Sequence, residues 1–201
     1  MIYGAPDLEA AVSALEVRTG VRAALGGRHS AYGTHNALLA LGPRVYLEIL
    51  APDPRRDAGV EPTLFGLDLL AEPRMVAWAA SCSDLGERVA SAADAGLHLG
   101  EVQSGARETS DGGVLRWRIS DPYVRHCDGV VPFLIDWGET PHPAASAPGG
   151  LRLLGLRATH PNAAGAQAAL DALGVDLDVS RGDAAALSAI IEGPVGKLEL
   201  A

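Results

Sequence analysis

Cysteine is almost missing from this chain: Cys82 and Cys127 are the only two in 201 residues. They form no Cys-x-x-Cys pair, which excludes a disulfide-rich scaffold and leaves two reduced thiols, as expected of a cytoplasmic protein. Neither has a base beside it in sequence, so neither reads as a nucleophile. Apolar runs stop well short of a bilayer's thickness, and residues 1–6 carry no basic segment. Neither a membrane partner nor a signal peptide is expected. Basic clusters are also lacking: the net charge is -9, and Arg55-Arg56 is followed at once by Asp57. That argues against nucleic acid as a partner. There is no glycine-rich phosphate loop in a strand–loop–helix context and no Gly-x-Ser-x-Gly elbow. Aromatic residues make up 4% of the chain. What remains is an ordinary globular composition, 48% hydrophobic and 20% charged, long enough for one full core or two small ones.

The most informative stretch runs from Gly26 to Pro54. Residues 35–41 and 44–50 have strand character and are joined by Gly42-Pro43, a turn signal. His29, His35, Asn36 and Glu48 sit in or beside these apolar strands, and an acid inside Tyr46–Leu50 is costly to bury unpaired. Before it, Asp7 is an N-cap candidate; Leu8, Ala11, Val12 and Leu15 mark one helix face, and Gly20 closes the helix. The same order returns twice. Residues 74–82 read as a strand, Asp84 caps a helix that ends at Gly96, and residues 114–119 and 130–137 read as strands. Residues 151–158 read as a strand, Asn162 caps a helix that ends at Gly174, and short strands follow to the end.

Caps spaced by roughly 75–80 residues indicate a repeated supersecondary unit of strand, helix and two or three strands. The expected organisation is module one at 1–52, a loop at 53–73, module two at 74–138, a linker at 139–150 and module three at 151–201. The last strand of each module carries an acid: Glu48, Asp136 and Glu199. The fold class is α+β. Each module has an open sheet face that needs a partner, so an odd count calls for a homodimer or for irregular packing within the chain.

The βαβββ repeat, the residues from Gly26 through Glu48 and the closing segment Val131–Gly138 together resemble the glyoxalase-like branch of the vicinal oxygen chelate superfamily. The resemblance implies paired modules curled into a half-open barrel around a small-molecule pocket. In enzymes of the superfamily that pocket holds a divalent metal (Zn, Fe, Mn or Ni) bound to a first-strand His or acid and a last-strand Glu. Glu48 matches the last-strand position; the alternative is a buried acid paired with an arginine such as Arg116. The first-strand ligand falls seven residues before the cap aspartate, immediately before Met1, and its counterparts are Ala77 and Gly155. The standard metal set is therefore incomplete: either the native start lies upstream, which is the favoured expectation, or this site never bound metal.

If His35 faces the same side as Glu48, the two serve as metal ligands, or as a base with its orienting carboxylate. A histidine bonded to backbone is the structural alternative. His29 and Asn36 are candidates for substrate contact, as are Trp78, Arg116, Phe133 and Asp136 in module two. Core packing competes for the aromatics, and a solvated face competes for the arginine. Two functions stay open: a metal-dependent lyase, isomerase or dioxygenase, and a metal-free protein that sequesters a small apolar or aromatic compound.

Overall fold

The structure is a computed structural model that describes residues 1–57, 59–61, 63–108 and 113–201. Residues 58, 62 and 109–112, in the stretches read as a loop and as module two, lie outside the described residues. The described residues form an α+β protein of three sheets and three α-helices, and none of the sheets closes into a barrel.

The first sheet holds β1 (Ile2–Gly4), β2 (Ala24–His29), β3 (Thr34–Gly42), β4 (Val45–Pro52) and β5 (Arg74–Ala77), in the order β2-β3-β4-β1-β5. Helix α1 (Leu8–Thr19) starts where the Asp7 side chain accepts from the backbone N–H of Ala10 at 2.7 Å. It stops at Gly20, whose left-handed φ of 78° suits a residue without Cβ. The buried face of α1 includes Leu8, Ala11, Val12 and Leu15.

Residues 74–82 do not form one strand. The run breaks at Trp78, so β5 finishes the first sheet and β6 (Ala79–Ser81) starts the second. The second sheet continues with β7 (Gln103–Glu108), β8 (Val114–Ile119) and β9 (Phe133–Asp136), in the order β6-β9-β8-β7. Between β6 and β7 lies α2 (Leu85–Asp94). The expected cap does not form: Asp84 takes a left-handed φ of 58°, and its side chain makes no capping bond.

The third sheet holds β10 (Arg152–His160), β11 (Val179–Arg181), β12 (Ala186–Gly193) and β13 (Gly196–Leu200), with α3 (Ala163–Leu173) capped by the Asn162 side chain on the N–H of Gly165. Its element order repeats that of the others, but its pairing does not. In the first two units the opening strand lies parallel beside the closing strand, β1 on β4 and β6 on β9. In the third unit β10 lies beside β11 and β12, giving the order β11-β10-β12-β13. The third unit is therefore not a third copy of the same topology.

That unit buries its apolar side on the back of the first. One core cluster joins Val12 and Leu15 of α1, Leu39, Leu47 and Ile49 of the first sheet, and Ile191, Leu198 and Leu200 of the third. A second cluster joins Leu85 of α2, Leu134 of β9 and Leu173 of α3. With these rear faces covered, the front faces of the first two sheets are left to enclose a cavity. Among the described residues no helix is long and apolar enough to cross a membrane.

Candidate functional site

Strand alternation decides which side chains enter the cavity. On β3 and β4, Ala37, Leu39, Leu47, Ile49 and Ala51 face the rear core, while Asn36, Leu38, Tyr46, Glu48 and Leu50 line the cavity. Glu48 stands in register with Leu38 on one side and Ile2 on the other, and Ile2 pairs onward with Ala77. The β1 residue beside the acid is thus a hydrocarbon.

Glu48 is held by Asn36, whose Nδ2 donates to Oε1 at 2.7 Å. The Asn36 amide is in turn packed against Gly26, the extra residue of a bulge in β2. A Cβ at Gly26 would fall 2.1 Å from Asn36 Oδ1, so only glycine leaves room for the amide. From the opposite sheet Arg107 enters the cavity, 7% exposed, and its guanidinium donates to the carbonyl of Gly26. Tyr32 makes a second link across the mouth, donating to Gln103 at 3.3 Å. About 620 Å³ of space lies between these walls when the open solvent at the cavity's mouth is included.

The remaining walls are aromatic and aliphatic. Trp117 and Trp137 lie 5.5 Å apart between ring centres, His29 meets Trp117 edge-on at 6.0 Å, and Phe65 stacks on Phe133 at 5.7 Å. Phe65 belongs to the segment Leu64–Leu69, which covers one end of the cavity and holds Phe65 at a left-handed φ of 57°. Burial pushes the His29 imidazole below its ordinary pKa, and Arg107 and His35 add to that against the opposing pull of Glu48. His29 is therefore neutral at neutral pH, with Nδ1 3.1 Å from the Thr34 hydroxyl. Burial also raises the Tyr46 phenol, as does Glu48. Arg107 is lowered by burial while Glu48 and Tyr46 hold it up, and guanidinium stays protonated under such shifts. The cavity thus carries one carboxylate and one compensating cation.

Of the residues singled out in sequence, His29, Asn36, Glu48 and Phe133 meet in this cavity. His35 does not. A bulge at Leu41 shifts the β3–β4 register, so that Leu38 rather than Leu39 pairs with Glu48. One extra residue exchanges the two faces of a strand, and His35 ends up on the rear side beside Asp53 and Arg55. Trp78 is a core residue, with Nε1 donating to the carbonyl of Val130 at 2.7 Å. Arg116 and Asp136 line a shallow groove on the outer face of the second sheet, away from Glu48. Sequence reading missed Arg107, because residues 102–108 show no clear period. The usable signal was an arginine two places from Gly105, in a strand whose alternate positions face inward.

A model of the glyoxalase-like domain family matches residues 1–174. The chain belongs to this family. The glyoxalase-like fold places it in the vicinal oxygen chelate superfamily, and no curated protein matches it in sequence. A hypothetical protein from Staphylococcus aureus has a similar solved structure, with a TM-score of 0.63 at 14% identity over 98% of this chain and 82% of that one. Methylmalonyl-CoA epimerases from Streptomyces coelicolor and Mycobacterium tuberculosis are more distant, each with a TM-score of 0.44. Their identities are 22% and 21%; the matches cover 71% and 72% of this chain, and 94% and 89% of theirs.

The superfamily's divalent metal fits these donors poorly. Among the described residues no group of three or more His, Cys, Asp and Glu could hold an ion. Glu48 has Ile2 and Leu38 as in-register neighbours, one of its oxygens is bonded to an amide, and the buried Arg107 guanidinium lines the same cavity.

Proposed function

We propose that this glyoxalase-like protein binds a small apolar or aromatic molecule in the cavity between its first two sheets, without a metal. The observation that carries this reading is the surroundings of Glu48: one oxygen held by the Asn36 amide, a buried guanidinium in the same cavity, and hydrocarbon at the in-register β1 position, Ile2. A carboxylate so placed orients a polar group of the ligand, and the aromatic walls supply the contact area. The competing reading, a metal-dependent lyase, isomerase or dioxygenase with Glu48 as ligand, makes the opposite prediction about metal.

The test is calorimetric titration with 2-naphthol, before and after chelator treatment, alongside elemental analysis of the protein. At about 0.5 kcal/mol per non-hydrogen atom, a two-ring phenol binds with a Kd on the order of 100 µM. The expected result is saturable binding that chelation leaves unchanged. Stoichiometric metal whose removal abolishes binding would overturn the proposal in favour of the metal-dependent enzyme.

A further inference from the structure

Two opposite charges line one cavity without meeting. Glu48 and Arg107 both face the space between the first two sheets, yet among the described residues they form no ion pair with each other. The fold holds each head in place. Asn36 Nδ2 donates to Glu48 Oε1 at 2.7 Å, the Gly26 carbonyl accepts from Arg107 Nη1, and Asn36 and Gly26 are packed against each other. Each charge keeps bonding capacity to spare. Among the described residues nothing bonds Arg107 Nε or Nη2, or Glu48 Oε2. Nor are these atoms among the buried polar atoms sealed without a partner, which are Asn36 Oδ1 and Trp137 Nε1. Atoms that are neither bonded nor sealed are open to whatever enters the cavity. Arg107 is only 7% exposed, and a buried guanidinium calls for an anionic partner to complete its fork.

We propose that the cavity takes an aromatic zwitterion, with its carboxylate on Arg107 and its ammonium on Glu48. This rests on the binding reading above and names the ligand class for it. Charge balance favours a dipole over an ion. The two protein charges cancel, so a singly charged ligand satisfies one head and leaves a net charge in a low-dielectric space, whereas a zwitterion pairs both heads and adds none. Geometry points the same way, because Glu48 and Arg107 are tied to different members of the Asn36–Gly26 contact and a dipolar ligand bridges the gap between them. The rest of the ligand is apolar because the lining is, with Leu38, Leu50, Phe65, Trp117 and Phe133 in the walls.

The experiment compares four probes by calorimetry at neutral pH: L-phenylalanine, 3-phenylpropanoate, 2-phenylethylamine and 2-naphthol. The second and third are the first without its ammonium or without its carboxylate, and the fourth tests the binding reading itself. The wild-type chain should bind phenylalanine at least about 10-fold more tightly than either truncated probe, as hydrogen bonds to charged groups allow. Glu48→Gln keeps an oxygen for Asn36 and deletes the charge. On that variant phenylalanine should fall to the level of 3-phenylpropanoate or below it, while 3-phenylpropanoate, which then reports an intact fold, binds at least as tightly as on wild type. Arg107→Gln should likewise bring phenylalanine down to 2-phenylethylamine. If 2-naphthol binds but phenylalanine binds no more tightly than the truncated probes, the zwitterion assignment is overturned and the binding reading stands. A preference over 3-phenylpropanoate that survives Glu48→Gln overturns it too. If none of the four binds, the binding reading fails and this one with it. The wild-type comparison decides the matter even if neither variant folds.

Discussion

Gly26 and Asn36 occupy each other's space, and that contact sets the orientation of the one acid in the cavity. Asn36 is 3% exposed and cannot swing outward, because its Nδ2 is committed to Glu48 and its Oδ1 lies where a Gly26 Cβ would be. Gly26→Ala must push the amide aside, so it should cost about 1–3 kcal/mol in urea denaturation. Asn36→Ala alone leaves Glu48 Oε1 without its donor and should cost about 1–3 kcal/mol as well. The double variant should cost less than the sum, since the added methyl then finds the space the amide has left. Additive costs would show that the two residues do not oppose each other. Neither effect depends on a ligand.

At the scale of elements, most of the secondary structure was legible and most of the pairing was not. The cap and the 3.6-residue pattern around Asp7 and Leu8 predict α1, and the strand-like runs on either side of Gly42-Pro43 predict the hairpin, because both signals are local. The bulge at Leu41 has no signature of its own, yet it moves His35 from the side of Glu48 to the rear face of β3, where it is only half-buried. The break at Trp78 was hidden for a similar reason: residues 74–82 are uniformly strand-like, and only the presence of two sheets divides them. Trp78 stands at that division, tied to Val130 in the turn before β9. Trp78→Phe deletes this bond and should destabilise the fold by about 1–3 kcal/mol. Because Trp78 is not in the cavity wall, affinity for 2-naphthol should stay within about twofold of wild type. A larger loss of affinity at unchanged stability would return Trp78 to the ligand site, where sequence reading had placed it.

For the whole molecule, the question is what the third unit does. Its caps and spacing look like a further repeat, but its strand order differs, and its apolar side lies on α1 and the rear of the first sheet. Capping residues report where helices start and say nothing of which strands pair, so the repeat was legible and the change in topology was not. The packing makes the third unit the lid of the core beneath Glu48's strand rather than an appended domain. Ile191 tests this, being fully buried in the cluster that also contains Val12, Leu47 and Ile49. Ile191→Ala should lower stability by about 2–5 kcal/mol. The form of the unfolding curve matters more than its size. A shared core should melt in one cooperative transition, displaced as a whole, with tryptophan emission and far-ultraviolet dichroism coincident. All three tryptophans, Trp78, Trp117 and Trp137, lie in module two, outside the third unit. An independent third unit would therefore melt early in dichroism and leave tryptophan emission at its wild-type midpoint. That split would detach the third unit from the core on which the cavity's first sheet rests.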